Sequence, residues 1–590
     1  MNHPFQKLTR ITFVLIGLMM YNVLPIIAQS QDQGELAFSG ATPTTLDDPS
    51  LVKQYQATIT ESDLASHLYV FASDYFEGRE TATRGQKLAA FYLAGQYRKM
   101  GIMPKGTSKT EDAFSPENYL QPFPLYGKRL EAAKIQVLSK GKPLTSSVFS
   151  TEEVDGKSFL AFGNKADAAG GVVFGGYAIG DDELGYNDFT AMEEAGIDFK
   201  DKWLMVMVGE PMESDEKSLL PTEDGGPSKW TTQNGLKWNS LFRSGLPRGL
   251  LIVGDVGPTG DDIAVNAKEN APSVDDLGNL SLNESQGGGR EIPPFYFISS
   301  DFANEILAPS KRTVAELQSE IDGSLKPVVF ELDDIQVNSS LAYDSFDTTS
   351  ENVVAFIEGS DPELKDEVVV ISSHYDHIGL EKTGEDRINN GADDDGSGTV
   401  AILEIAEAFK MAVDDGYGPR RSILFLNVSG EEKGLLGSAY YADTEPIIPI
   451  ENTVTNLNID MIGRFDPTHP TKSENYVYII GSNLISQQLH DLNVDVNKAT
   501  GIDLELDERY NSKDDPNQFY RRSDHWNFGK NNVPFIFFFT GTHEDYHGVD
   551  DEPDKIEYTR LKRITQLIFA TGWQVANQDE RPEVSGKGFN

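Results

Sequence analysis

Residues 368–398 read VVVISSHYDHIGLEKTGEDRINNGADDDGSG. The run from Val368 to Ser373 carries no charge and four β-branched residues, which predicts a buried strand. His374 and Asp376 follow at once, and Asp394 comes twenty positions after His374, inside an acidic triplet set between glycines. The triplet opens a helix, predicted from Gly398 to Ala412, whose buried stripe is Val400, Leu403, Ala406 and Phe409. Singly these pieces are ordinary: a strand-end histidine usually makes a plain hydrogen bond, and aspartates near glycine usually make a solvated turn. Gathered at one strand end, nitrogen and oxygen donors are what a divalent metal binds.

The pattern repeats downstream. Strand-like runs at Val353–Ile357, Ser422–Ser429, Asn456–Met461, Tyr476–Ile480 and Pro534–Phe539 alternate with helices near Leu484–Leu492 and at Tyr558–Ala576. That alternation predicts an α/β architecture, a mostly parallel mixed sheet sandwiched by helices. Ligands of such sheets collect at the carboxyl ends of the strands. The loops there carry Glu431 and Glu432 in SGEEKGLLGS, Asp460 in NIDMIGR, and Tyr546 and His547 in TGTHEDYHGVDDEPDK.

Upstream, helical periodicity starts near Ser62 and resumes from Gly85 to Met100, where Gly101 predicts a stop. From about Lys128 to 335 the texture changes. Short β-rich runs alternate with acidic, Gly- and Ser-rich loops, and no histidine occurs between His67 and His374. This predicts a separate β-rich insert without metal ligands of its own. Residues 31–58 are polar and read as a flexible lead-in, and 578–590 as a polar tail.

Composition excludes some roles. The 590 residues carry a formal net charge of −43, which argues against nucleic-acid binding, since a phosphate backbone needs a basic face. Residues 1–30 read as a secretory signal: Lys7 and Arg10, an apolar run from Ile11 to Ala28, and Ala28-Gln29-Ser30 as a small-x-small cleavage site. Asn22 and Pro25 interrupt that run, so no stable membrane span is expected after cleavage, and an uncleaved anchor is the alternative. The expected location is outside the cytoplasm, periplasmic or extracellular. There is no cysteine, so a disulfide framework is ruled out and any metal falls to His, Asp and Glu.

The order His-x-Asp, GADDDGSG, Glu-Glu, Asp, Tyr-His resembles the M28 family of co-catalytic zinc peptidases, which includes aminopeptidases and glutamate carboxypeptidases. The segments GGYAIGDDELGYNDF and DFKDKWLMVMVGEP resemble the protease-associated domain, a β-rich insert of several peptidase families. The resemblance implies a peptidase domain over 59–127 and 336–577, interrupted by that insert at 128–335. It implies two Zn²⁺: His374 and Asp460 on one, Glu432 and His547 on the other, and Asp394 bridging both. It further implies that Asp376 receives the free ring N–H of His374, and that the Asp394–Asp395 peptide is cis. Glu431, whose neighbour Glu432 is the ligand, is left as general base and then acid, and Tyr546 as donor to the oxyanion. His377 and His543 are expected to be hydrogen-bonded or exposed neighbours, and Asp524 and His525 to support the pocket. Arg464, Arg521 and Arg522 are candidates to line it.

Three functions fit this reading. The first is a secreted aminopeptidase acting on peptide substrates. The second is a carboxypeptidase or glutaminyl cyclase on the same fold. The third is a non-catalytic receptor-like protein, which would be expected to have lost ligands, and here all are present.

Overall fold

Three helices, α1 (Pro49–Gln56), α2 (Glu61–Phe71) and α3 (Arg84–Met100), lead into a long strand, β1 (Leu120–Ser139). The computed structural model describes residues 41–585 apart from 215–216, 223–224, 233–234, 255–261, 285–290 and 472–474. The signal segment at 1–30 and the first part of the lead-in lie outside the described residues. After the insert come β2 (Val329–Ile357), β3 (Val368–His374), α4 (Gly398–Asp414), β4 (Ser422–Val428), β5 (Thr453–Ile459), β6 (Tyr476–Ile480), α5 (Gln487–Thr500), β7 (Phe535–Phe539) and α6 (Tyr558–Asn577).

The central strands stand in the order β6-β7-β5-β3-β4-β2. Strands β4, β3, β5 and β7 run parallel, with β2 antiparallel to β4 and β6 antiparallel to β7. This is the expected mostly parallel mixed sheet. Residue Val370 of β3 pairs with Leu424 on one side and Asn456 on the other. Successive side chains of a strand face opposite sides of the sheet. Val369 and Ile371 enter the core beneath α4 and α6, while Val368 and Val370 pack with Leu426, Tyr441 and Phe528 on the other face. Two covered faces are why the run shows no alternation.

Helix α4 buries Val400, Leu403, Ala406 and Phe409 as the spacing predicts, and Phe409 stacks on Trp573 of α6 at 5.8 Å. Truncating Phe409 to alanine would cost about 3–5 kcal/mol. Helix α3 ends where expected: Gly101 takes φ +76°, a left-handed conformation that glycine adopts without strain, and its N–H closes the last turn.

Two expectations change. Residues 41–58 are not a loose lead-in. Asp48 caps α1, Thr45 Oγ1 donates to the Ala570 carbonyl at 2.7 Å, and Trp573 Nε1 donates to the Pro43 carbonyl at 2.8 Å. Few apolar residues mark this segment, and Val52 and Tyr55 supply its buried contacts. The edges expected at 127/128 and 335/336 fall inside a continuous antiparallel ribbon, in which β1 pairs with β2 from Leu120↔Val353 to Ser139↔Ile335. Burial along β2 alternates from Leu332 to Leu341 and becomes continuous from Ser350, where the strand enters the sheet. One strand therefore carries two sequence textures.

Beyond the ribbon the sheet continues through parallel strands Asp167–Gly175, Trp203–Met207, Gly249–Val253 and Phe295–Ile298. Helices such as Ser300–Leu307 and Val314–Ser324 pack on them around Trp203, Leu251 and Tyr296. The stretch expected to be β-rich is built on these strands, and its helices are short and set among acidic loops.

Candidate metal centre

Apart from Asp394, the expected site residues follow the carboxyl ends of parallel strands. His374 closes β3; Glu431 and Glu432 follow β4; Asp460 follows β5; Tyr546 and His547 follow β7. Asp394 sits in the turn Ala392–Ser397 that runs into α4, and the Asp394–Asp395 peptide is cis. Four neighbouring strands converge their loops on one spot, which is the ligand crevice of such a sheet.

Asp394 stands between two groups of candidate donors. Its Oδ1 lies 3.2 Å from His374 Nε2, which is 3.6 Å from Asp460 Oδ1. Its Oδ2 lies 3.1 Å from His547 Nε2, which is 3.2 Å from Glu432 Oε2. Two ligands each about 2.0–2.1 Å from a tetrahedral ion stand about 3.3 Å apart. Both groups have that spacing. Imidazole nitrogens with carboxylate oxygens and no thiolate suit zinc or a neighbouring first-row metal.

The groups are larger than the sequence suggested. His377 is fully buried, with Nδ1 3.0 Å from Glu432 Oε1 and 3.8 Å from Asp394 Oδ2, and its Nε2 has no hydrogen-bond partner among the described residues. Asp395 lies beside His374 and Asp460, where its Oδ1 accepts the backbone N–H groups of Gly398 at 2.9 Å and Met461 at 3.1 Å. Its Oδ2 has no hydrogen-bond partner among the described residues.

The field here favours cations. Burial opposes charge on His374, yet Asp460, Glu431 and Asp394 outweigh it and hold the ring well above the usual histidine range. Burial opposes charge on His547 too, and Asp394 and Glu432 push it up to about 10. Burial raises Asp394, but the rings of His374 and His547 outweigh that and hold it well below the carboxylate range. Protons here take the place that a divalent ion would take.

Glu431 lines the same pocket as His374, Asp394 and Asp460. Burial holds its carboxyl well above the ordinary range, with Glu432, Asp460 and Asp524 adding to the effect and His374 opposing it. Tyr546 also lines the pocket and stacks on His547 with ring centroids 3.9 Å apart. Burial, Asp394 and Glu432 raise its pKa, so the phenol keeps its proton and remains a donor. Asp376 departs from expectation. The acceptor for His374 Nδ1 is the Asp376 backbone carbonyl at 3.1 Å, and the carboxylate stands off at 3.8 Å. That carboxylate accepts instead from Thr81 Oγ1 at 2.7 Å and from the backbone N–H of Glu431 at 3.3 Å. It therefore orients the segment that carries the expected base.

Two supporting residues escaped the sequence reading. The carboxylate of Asp551 accepts the backbone N–H groups of Asp393 at 3.0 Å and Asp394 at 3.1 Å. Arg79, fully buried, donates to the carbonyls of Tyr375, Asn390 and Gly391 at 3.0, 2.6 and 2.9 Å, tying the histidine segment to the aspartate turn. Arg79 stands in a polar loop in the sequence and Asp551 in an acidic run, so neither shows a pattern of its own.

The remaining candidates separate. His543 Nε2 lies 3.4 Å from Asp393 Oδ2, and Asp524 accepts from the Ser438 hydroxyl. His525 is pushed down to about 3 by burial and is neutral, with Nε2 donating to the Tyr520 carbonyl at 3.0 Å. Arg464 pairs with Asp545 at 3.0 Å, Arg521 lies over the Trp526 ring, and Arg522 lines the pocket.

Residues 352–572 match peptidase family M28. Aminopeptidase YwaD of Bacillus subtilis (strain 168) is 25% identical over 246 residues, 40% of this chain and 48% of that protein. A glutamate carboxypeptidase 2 homolog of Caenorhabditis elegans is 23% identical over 483 residues, 76% of this chain and 58% of that protein. A probable zinc metalloprotease of Pyrenophora tritici-repentis (strain Pt-1C-BFP) is 26% identical over 277 residues, 40% of this chain and 54% of that protein. The chain spans about half the length of these curated relatives.

Proposed function

We propose that this chain, which carries a peptidase family M28 domain over residues 352–572, is an exported di-zinc aminopeptidase that releases N-terminal residues from peptides. The observation that carries the reading is Asp394, whose two carboxylate oxygens each face a different histidine at 3.1–3.2 Å. His374, Asp394 and Asp460 would hold one zinc, and Asp394, Glu432 and His547 the other. Two zinc ions supply Lewis acidity, polarising a peptide carbonyl and acidifying water.

The chain's own groups then divide the work. Glu431 accepts the proton of the attacking water at its carboxylate and returns it to the leaving amine as the C–N bond breaks. The Tyr546 O–H donates to the oxygen that gains charge in the tetrahedral intermediate. Asp376, through the Glu431 backbone N–H, fixes where that carboxylate starts. Met461, Phe519, Phe537 and Phe539 form the apolar wall of the pocket and receive the side chain of the terminal residue. Export rests on the basic and apolar segment at Lys7–Ala28. The described residues contain no helix long and apolar enough to cross a membrane. The stretch between the β1 and β2 strands of the ribbon is read as a protease-associated domain.

A leucyl anilide and its N-acetyl form present the same scissile bond, so comparing them isolates the terminal amine. The acetylated substrate should be hydrolysed at least about a hundredfold more slowly, near 2.7 kcal/mol in transition-state binding. Equal rates, or activity only on peptides with a free C-terminal carboxylate, would overturn the aminopeptidase reading in favour of the carboxypeptidase one. A glutaminyl cyclase would instead release ammonia from an N-terminal glutamine.

A further inference from the structure

Residues 76–85, FEGRETATRG, form the polar loop between α2 and α3. Glu77, Arg79 and Ala82 take φ of +52°, +50° and +66° there, left-handed values that a residue with a Cβ keeps only where its surroundings fix it. Those surroundings are the segments of the metal centre. The Gly78 carbonyl accepts the N–H of Gly379 at 3.0 Å, and the Arg79 carbonyl accepts that of His377 at 3.2 Å. A Cβ on Gly78 would stand 2.2 Å from the Gly379 carbonyl oxygen, so only glycine lets the loop lie this close to the chain after His377. The Arg79 side chain meanwhile holds the aspartate turn at the carbonyls of Asn390 and Gly391.

The next two residues bracket the glutamate pair. Glu80 Oε1 accepts from Lys433 Nζ at 2.8 Å, and Lys433 follows Glu431 and Glu432 directly. Thr81, fully buried, meets the same segment at its other end. Its hydroxyl donates to Asp376 Oδ2 at 2.7 Å, and Asp376 Oδ1 accepts the Glu431 N–H at 3.3 Å. Its methyl faces Gly430, where a Cβ would stand 3.5 Å from Thr81 Cγ2. Asp376 is wholly buried, and among the described residues its carboxylate receives hydrogen bonds from these two groups alone. A buried carboxylate short of donors shifts to find one or takes up a proton. The Thr81 bond is the shorter of the two, so it sets where Asp376 stands, and Asp376 sets the amide of Glu431.

We infer that Thr81 is a positioning residue for the general base: through Asp376 it holds the backbone of Glu431 where that carboxylate reaches the attacking water. This rests on the peptidase reading above, in which Glu431 is the base. Glu432 has anchors of its own in His377 at 3.0 Å and His547 at 3.2 Å, so loss of Thr81 falls first on Glu431 and on the rate of proton transfer. Both parts of the threonine side chain are used, the hydroxyl at Asp376 and the methyl at Gly430, and the hydroxyl is the part that carries the effect.

The test compares the zinc-loaded full chain with Thr81→Val, which keeps the shape and loses the donor, and Thr81→Ser, which keeps the donor and loses the methyl. Thr81→Ala, which also loses the donor, replaces the valine variant if that one does not fold. On whichever peptide the wild type cleaves, kcat should fall at least about tenfold in Thr81→Val, with KM and zinc content unchanged, and Thr81→Ser should recover most of it. In a Glu431→Gln background Thr81→Val should cost little more, because the group it positions is gone. The full loss in that background, an unchanged kcat in Thr81→Val, or a serine variant as slow as the valine one overturns the inference. Zinc lost from Thr81→Val overturns it too and assigns Thr81 to the metal frame. Amide hydrogen exchange over residues 429–435 reads the same contact without turnover. It should quicken in Thr81→Val and stay near wild type in Thr81→Ser. That pattern in a protein that cleaves no peptide would refute the peptidase reading and keep the anchoring of Glu431. Exchange equal in all three proteins would refute the anchor whatever the activity.

Discussion

The Oδ2 of Asp551 accepts a hydrogen bond from the backbone N–H of Asp394 at 3.1 Å, across 157 residues of sequence. The same carboxylate takes the N–H of Asp393, and the Ala392 N–H donates to the Asp551 carbonyl at 3.0 Å. Three consecutive amides of the aspartate turn are thus held by one residue on the loop that also carries His547. The two oxygens of Asp394 cannot face both histidines unless this turn is fixed.

Asp551→Asn keeps the volume and loses one acceptor oxygen, so the turn keeps only part of its support. Residues that orient metal ligands are typically worth about 10–100-fold in affinity. Zinc affinity measured by chelator competition should fall within that range, with the fold retained by circular dichroism. Wild-type affinity in this variant would show that the turn holds its shape without Asp551.

Asp394→Ala removes the group common to both ligand sets, whereas Asp460→Ala removes a ligand of one. Elemental analysis should therefore find both zincs lost from the first variant and one retained by the second. Two zincs per chain in Asp394→Ala would end the bridging assignment.

Much of this site was legible in the sequence because parallel strands put their ends at one edge of a sheet. Once Val368–Ser373 is read as a strand followed by His374, the residues after each later strand must come to the same crevice. That logic located His374, Asp394, Glu432, Asp460 and His547 as neighbours. It could not locate Arg79 or Asp551, whose work is done on backbone atoms that carry no sequence signal. Nor could it tell that His374 Nδ1 meets the Asp376 carbonyl rather than its carboxylate, a choice of about an ångström. The ribbon of β1 and β2 was missed for another reason. A strand half out of the sheet alternates in burial and a strand inside it does not, so only the uniformly apolar end, Val353–Ile357, carries the signal of a buried strand.

Glu431→Gln is nearly isosteric and cannot accept a proton. With the metals retained, kcat should fall by roughly 10² or more and KM should change little. A variant that turns over normally would place the base elsewhere and leave Glu431 with the backbone contact to Asp376 alone.

Glu404 of α4 is buried against α2 and α3, 3.6 Å from His67 Nε2, whose Nδ1 lies 2.7 Å from the Tyr92 hydroxyl. Burial pushes Glu404 up to about 8, helped by Glu407 on its own helix and Asp63 on α2, while the Thr60 N–H opposes the shift. The folded protein therefore keeps this proton through a range where the unfolded chain, at the ordinary 4.5, has released it. The unfolded state binds fewer protons between those values, so stability falls as pH rises from about 4.5 to about 8 and then levels off. Glu404→Gln keeps an acceptor for Thr60 and removes the titration. Its melting temperature should match the wild type near pH 4.5 and exceed it at pH 9, by an amount worth at least about 1 kcal/mol. His67, lowered chiefly by burial and then by Lys99, titrates in both proteins. The difference between the two melting curves therefore isolates Glu404. A gap that stays the same at both pH values would mean that Glu404 is ionised in the fold, with His67 or water carrying its charge.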